Sequence, residues 1–167
     1  ISLFDEGTKS SIVGDIELNI QAHSKTSDAI VASINNTYED ISSQEICLSP
    51  NASYSDLYIN AEIRYFKDDY ATEFYYIQNA DLDDYPINLS LFDLAQNDST
   101  EFAVTYKNNA FILTEGAIIQ LQRKYIGEDL YEVVEAPLTS DGGKSILHVD
   151  LNTNRYRASV VKDGELL

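Results

Sequence analysis

The sequence predicts an all-β protein made of two tandem β-sandwich domains. Apolar and polar residues alternate with a period of two along most of the chain, which is the pattern of half-buried strands. Turn-prone clusters recur about every 8 to 12 residues, a spacing typical of sandwiches. The best helical candidate, KTSDAIVASINN (25–36), is rich in β-branched residues, so we interpret it as a strand as well.

The first half of the chain contains four further predicted strand regions. SIVGDIELNIQAH (11–23) and DLYINAEIRYF (56–66) both place apolar residues on one face and polar residues on the other. ATEFYYIQNA (71–80) follows the second run after a short polar turn and is predicted to return as its hairpin partner. PINLSLFDL (86–94) is then expected to close the sheet.

A polar break at AQNDST (95–100) is interpreted as a short linker. It divides the chain into an N-terminal β-sandwich domain, residues 1–96, and a C-terminal one, residues 97–167. The runs predicted to form strands in the second domain are EFAVTY, AFIL, GAIIQLQRKY, DLYEVVEAPL, KSILHVDL and RYRASVV.

Residues 101–167 carry a pattern of turns that is found in one family of modules. A Gly-Ala pair at 116–117 opens an alternating strand, and a Thr-x-x-x-Gly turn at 139–143 leads into an apolar one. Tyr156 then starts a strand that ends in the charged hairpin at 163–164. This half resembles the carboxypeptidase-regulatory-like or transthyretin-like β-sandwich. The layout of the whole chain also looks like the tandem domains of large surface and virion proteins, in the stretches ICLSPN, YINAEIRYF, FYYIQNADL, INLSLFDL and QRKYIGEDLYEVVEAPLTSDGG. This second resemblance implies a stacked or chain-linked structural module.

The strong negative charge limits the classes of partner. The chain has 28 acidic and 11 basic residues and a net charge of −17. A field of this sign repels nucleic acids and anionic membranes. It keeps a densely assembled protein soluble, although it also attracts cations. No stretch approaches the roughly 18 apolar residues of a membrane span, so we expect no membrane insertion by this segment.

The two ends of the sequence suggest a piece of something longer. The chain begins with Ile1 and not with Met. It ends just after the turn at 163–164, which is predicted to enter a strand that is then cut short. We therefore expect a processed or excised segment.

No catalytic motif is found, so we expect the protein not to be an enzyme. The sequence has no Gly-rich phosphate loop, no G-x-S-x-G, no H-E-x-x-H and no C-x-x-C. The single cysteine, Cys47, is interpreted as a small buried hydrophobe. His148, Arg155 and Arg157 alternate with apolar residues on their strands, so we place them on the outer surface of a sheet.

Aromatic residues are concentrated in the hairpin formed by 56–66 and 71–80. They occupy both faces of this hairpin, so one set is expected to fill the core and the other to contact a partner. A surface that stacks against sugar rings is the alternative interpretation. The interface candidates are Tyr65, Phe66, Tyr70, Tyr75 and Tyr76.

One acidic turn is a candidate for a Ca²⁺ site. Asp81, Asp83 and Asp84 offer the carboxylate oxygens that Ca²⁺ prefers, although the spacing is not that of an EF-hand. A solvated turn is the alternative. No other cofactor is expected.

Glycosylation is a further possibility that depends on secretion. Asn35, Asn51 and Asn97 each begin an N-x-Ser/Thr sequence. Asn88 does so too, but it falls inside a predicted strand.

These observations favour a non-enzymatic structural module of an extracellular, cell-surface or virion assembly. Such an assembly would be a filament, a capsid or tail, or an envelope, and its contacts would use sheet edges and tyrosine-rich surfaces. The partners would be other copies of the chain or other subunits. The alternative is an adhesion or receptor-binding module that recognises a glycan or a protein through loops at one end of a sandwich.

Overall fold

A computed structural model describes residues 1–50, 53–82, 87–152 and 155–167. It confirms the all-β fold class: the one helical segment among these residues is a 3-10 helix at Tyr54–Asp56. The strands are β1 (Ser2–Asp5), β2 (Gly14–Ser24), β3 (Ile30–Ile41), β4 (Leu57–Phe66), β5 (Glu73–Asp81), β6 (Ser90–Asp93), β7 (Thr100–Thr105), β8 (Ile118–Tyr125), β9 (Leu130–Glu135), β10 (Lys144–Val149), β11 (Arg155–Lys162) and β12 (Glu165–Leu166).

The N-terminal half is built around a four-stranded antiparallel sheet in the order β3-β2-β4-β5. β2 alternates between buried and half-buried residues along nearly its whole length, as its sequence predicts. Its buried residues lie beside those of β4 on the same face of the sheet, with Leu18 opposite Ile63 and Ile20 opposite Ala61. The predicted hairpin between β4 and β5 is confirmed, and residues 30–41 form a strand, β3, and not a helix.

A parallel pair, β1 and β6, covers the buried face of this sheet. Leu3 lies opposite Leu91 in the pair, and both side chains are fully buried. They pack with Ile16, Ile63 and residues around them in one hydrophobic cluster. This pairing brings the start of the chain next to the predicted closing strand.

The C-terminal half contains a second four-stranded antiparallel sheet, β12-β11-β8-β9, and the antiparallel pair β10-β7. The turn at 163–164 leads into the two-residue strand β12, as expected. The strand predicted at 110–113 is wrong. These residues form turns, with a single bridge between Lys107 and Leu113, and Phe111 has a positive φ of 60° and is 83% exposed. A left-handed backbone conformation is incompatible with a regular strand.

The two halves are joined at the edges of their sheets. Ala136, just after β9, accepts a hydrogen bond from the Tyr76 amide (2.9 Å) and donates one to Phe74 O (3.0 Å). Phe92 of β6 packs into the hydrophobic cluster of the C-terminal half, beside Leu121 and Val134. A division at residue 96 stays a prediction, and the two sides of it share hydrogen bonds and core.

Gly14 lies where strand β2 passes close to its neighbours. A Cβ atom added there would stand 2.8 Å from both Leu3 Cδ2 and Phe66 O. We expect Gly14→Ala to lower the free energy of unfolding by about 1–3 kcal/mol, because the backbone of β4 must shift to make room. Urea denaturation measures the change.

Gly127 provides the matched control for this substitution. An added Cβ would meet nothing within 4 Å there, so Gly127→Ala should leave stability unchanged or slightly raised. An equal loss in the two variants would contradict the close approach at Gly14.

Candidate functional site

Four carboxylates are buried where the two halves meet. Each side chain is 0–1% exposed. Glu6 follows β1, Glu73 begins β5, Asp93 ends β6 and Glu135 ends β9. We call them the carboxylate cluster. Burying an ionised carboxylate without a partner costs several kcal/mol or more, so each of these groups needs a hydrogen bond, a cation or a proton.

Glu6 is held by residues of the C-terminal half. Its Oε1 accepts hydrogen bonds from Arg123 Nη1 (2.8 Å) and from the Tyr156 hydroxyl (2.6 Å), and its carbonyl accepts one from the Tyr125 hydroxyl (3.1 Å). Burial raises the pKa of Glu6, although the bonds from Tyr156 and Arg123 act in the opposite direction. These contacts tie the end of β1 to β8 and β11.

Glu135 is paired with His148. Its Oε2 accepts the His148 backbone amide (2.9 Å), and its Oε1 lies 3.0 Å from His148 Nδ1. Burial raises the pKa of Glu135. For His148, burial acts to lower the pKa, but the hydrogen bond and charge of Glu135 outweigh it and raise the pKa. The prediction that His148 lies on an outer surface is wrong: its side chain is 12% exposed and faces the cluster.

Glu73 and Asp93 lack hydrogen-bond partners. Among the described residues, no group has hydrogen-bond geometry to either oxygen of either side chain. Burial raises the pKa of Glu73 well above its usual range, and the charges of Glu135, Glu6 and Asp93 add to this. The Tyr65 hydroxyl lies near Glu73, where it acts to lower the pKa of that carboxyl, but it donates its hydrogen bond to Val134 O. Burial also raises the pKa of Asp93 to about 8, although Lys67 acts in the opposite direction. Both carboxylates therefore favour a bound proton or a nearby cation.

Three of these side chains are placed so that they could hold a metal ion. One oxygen from each of Glu73 and Glu135 and one imidazole nitrogen from His148 all lie within 4.8 Å of one another. They come from β5, β9 and β10, so an ion there would contact both halves.

A groove of about 920 Å³ opens above the Glu135–His148 pair. Tyr70, Phe74 and Tyr76 contribute aromatic rings to its lining, and Ile146 of β10 lines it too. The imidazole is thus reached from solvent on one side, while the carboxylate beneath it is buried.

The predicted interface residues separate into two groups. Tyr65 is fully buried and donates a hydrogen bond to Val134 O (2.9 Å), so its assignment to a subunit interface is wrong. Phe66, Tyr70, Tyr75 and Tyr76 are half-buried. Tyr70 donates to Asp5 Oδ2 (2.8 Å) and Tyr76 to Glu62 Oε1 (2.7 Å), which fixes both rings at the groove.

The other predicted sites are spread over the surface. Asp81 is exposed and pairs with Lys25 at 2.8 Å, whereas Asp83 and Asp84 lie outside the described residues. Asn35 on β3 and Asn97 in a turn are exposed, and Asn51 also lies outside the described residues. Calcium binding and glycosylation stay predictions.

The assignment of Cys47 to the core is wrong, because its thiol is exposed. Residues 44–50 have no regular secondary structure and alternate between exposed and half-buried side chains. Cys47 occupies one of the outward positions, with Ile46 and Leu48 packed against the hydrophobic cluster beside it.

The sequence analysis missed the cluster itself. One signal was present: Asp93 and Glu135 each interrupt an apolar run, in SLFDL and VVEAP. A lone acid inside such a run marks either a strand end or a buried polar group, and the two cannot be distinguished without the packing partner.

Comparisons with protein-family models, curated proteins and solved structures found no match to this chain. Within the described residues, no helix has the length and hydrophobicity required to cross a lipid bilayer.

The Glu6–Arg123 pair should contribute strongly to stability. Arg123→Met leaves Glu6 buried without its guanidinium partner, and we expect a loss of about 3–5 kcal/mol in the free energy of unfolding. The matched control is Arg64→Met, because Arg64 pairs with Glu17 at 3.0 Å while the two side chains stay 39% and 45% exposed. That pair should contribute less than about 1 kcal/mol. Similar losses in the two variants would contradict the role given to burial.

The cluster should also make stability depend on pH. The folded protein keeps a proton on Asp93 up to pH about 8, whereas an unperturbed aspartate loses it near 3.8. The folded state therefore binds more protons between these values, and the free energy of unfolding should fall as pH rises from about 4 to 8. Urea denaturation across this range, with EDTA present, measures the slope.

Asp93→Asn identifies the source of that slope. The variant lacks the titrating group, so its stability should fall less steeply with pH. Some slope should persist, because the pKa values of Glu6, Glu73 and Glu135 are raised too. An unchanged slope would exclude Asp93 as a contributor.

Proposed function

We propose that this chain is a non-enzymatic structural module of an extracellular, cell-surface or virion assembly. Its two halves would be tandem Ig-like or transthyretin-like sandwiches, and it would join its neighbours by pairing strand edges. The observation that carries the proposal is the open edge at β3.

β3 has the properties of a strand that accepts a partner. It pairs with β2 on one side, and among the described residues no strand pairs with its other side. None of its twelve residues is buried. An edge of this kind presents unpaired amide and carbonyl groups to any strand that approaches.

β3 also lacks most of the devices that block unwanted pairing. Such edges usually carry lysines or prolines. The stretch from Ile30 to Tyr38 contains no charged residue and no proline. Ile30 and Val31 add exposed apolar surface, at 54% and 39%. An open, uncharged edge favours strand addition by another subunit.

The joint between the halves supports a chain-like arrangement. The bridge between Tyr75 and Ala136 connects β5 to the residue after β9. The two four-stranded sheets thus meet, with β3 as the outer strand of one and β12 as the outer strand of the other. Contacts at these two edges would let copies follow one another, and the buried pairs of Glu6 would keep each copy rigid.

Blocking the β3 edge tests the proposal. Ser33→Lys/Thr37→Lys adds two positive charges to exposed positions of β3. We expect the wild-type chain to form oligomers in sedimentation-velocity runs at high concentration and the double variant to stay monomeric, because two charges disfavour strand addition.

The control for the added charge is Gln96→Lys/Asn97→Lys, in an exposed turn away from β3. It should assemble like the wild type. A wild-type chain that stays monomeric, or equal assembly in all three proteins, would count against assembly through β3.

A binding module is the second candidate, and the groove favours it. Tyr70, Phe74 and Tyr76 offer ring faces to a sugar or an aromatic side chain. A glycan-array signal that Phe74→Ser abolishes would support recognition in the groove over a purely structural role.

A further inference from the structure

The buried carboxylate of Glu73 has no group among the described residues that compensates for its burial. The side chain is fully buried and neither oxygen has a hydrogen-bond partner among the described residues. The two buried cationic groups of the cluster are engaged elsewhere: Arg123 with Glu6 and His148 with Glu135. A buried carboxylate in this position is stabilised by a proton or by a cation that reaches it.

The neighbours of Glu73 are those a metal ion needs. The three potential ligand atoms of Glu73, Glu135 and His148 lie within 4.8 Å of one another. Zinc binds carboxylate oxygen and imidazole nitrogen at about 2.0–2.2 Å, which puts adjacent tetrahedral ligands roughly 3.3 Å apart. Glu135 Oε1 and His148 Nδ1 are already 3.0 Å apart. Only the Glu73 carboxylate must move closer, by an ångström or two at most.

We propose that Glu73, Glu135 and His148 bind one Zn²⁺ ion, which links β5 of the N-terminal half to β9 and β10 of the C-terminal half. The imidazole selects a borderline cation of this kind, since Ca²⁺ and Mg²⁺ prefer sites made of oxygen ligands alone. The positive charge of the ion offsets the excess of carboxylates in the cluster. This inference does not depend on the proposed assembly through β3.

The surroundings of the three ligands fit this role. Glu135 Oε2 accepts the backbone amide of His148, which orients the carboxylate so that Oε1 is directed towards the site. Hydrogen bonds of this type from the backbone hold ligands in place. The groove reaches Glu135 and His148 from outside and gives the ion a path in and a water for its fourth position.

The test is calorimetric titration of the whole chain with ZnCl₂ after treatment with EDTA, together with thermal melting. We expect one Zn²⁺ per chain and a melting temperature that rises with the Zn²⁺ concentration, since a ligand that binds only the folded state stabilises it. Titration with CaCl₂ should give much weaker binding. Absence of Zn²⁺ binding, or Ca²⁺ binding of equal strength, would overturn the proposal.

Variants separate this site from weak binding to an acidic surface. His148→Gln should weaken Zn²⁺ binding by at least about 100-fold. The controls are His23→Gln, which removes the other histidine, and Cys47→Ser, which removes the exposed thiol. Both should bind like the wild type. Equal affinity in His148→Gln, or a loss in either control, would assign the binding to another place.

Glu73→Gln tests the third ligand in a variant that is expected to stay folded without metal. It replaces a buried carboxylate, whose charged form is costly to bury, by a neutral amide of similar size, so the metal-free variant should melt at the same temperature as the wild type or higher. The rise in melting temperature on adding Zn²⁺ should disappear. A Zn²⁺-dependent rise of wild-type size in this variant would show that Glu73 is not a ligand.

Discussion

Four carboxylates are removed from water where the two halves of this protein pack together. The free-energy cost of this desolvation must be offset by partners in the joint between the halves. Glu6 is compensated by Arg123 and Tyr156 across the joint, and Glu135 by His148 beneath the groove. If the halves separated, Glu6 would lose its hydrogen-bond partners. Phe92 would at the same time lose its contacts with the hydrophobic cluster of the C-terminal half. The polar pairs and the shared core therefore both stabilise the packed state of the two halves against their separation. Glu73 and Asp93 are the exceptions, because neither oxygen of either side chain has a hydrogen-bond partner among the described residues.

The joint between the halves fixes the structure of each molecule, whereas the proposed contacts with other molecules lie at the outer edge of β3. The joint fixes the two four-stranded sheets relative to each other, through the hydrogen bonds around Ala136 and the contacts of Glu6. Among the described residues, no strand pairs with the outer side of β3, so the proposed pairing with another chain would break no internal contact. A net charge of −17 opposes indiscriminate association, and the proposed contact would use the uncharged stretch from Ile30 to Tyr38.

The aromatic hairpin and the C-terminal strands show which side-chain positions alternation predicts correctly and which it does not. Alternation correctly placed Leu147 in the core, but it assigned His148 to solvent. The reason is that His148 lies against the buried Glu135, whereas Ile146 on the same face of β10 remains 49% exposed. Tyr65 is a different case: it lies on the buried face of β4 with Ile63, as alternation indicates, and its hydroxyl reaches Val134, 69 positions away. Alternation gives the two faces of a strand, but it does not tell whether the polar face is also covered.

The amino-acid sequence by itself determined most of the strands and turns and the all-β class, because a period of two is a property of neighbouring residues. The C-terminal resemblance and the division into two domains are further expectations from sequence. Only the tertiary structure decided which charges are buried. Tyr156 and Glu6 are 150 positions apart and Arg123 and Glu6 are 117 apart. No local pattern records such pairs, because the cost of burying an acid depends on which distant groups the fold brings to it.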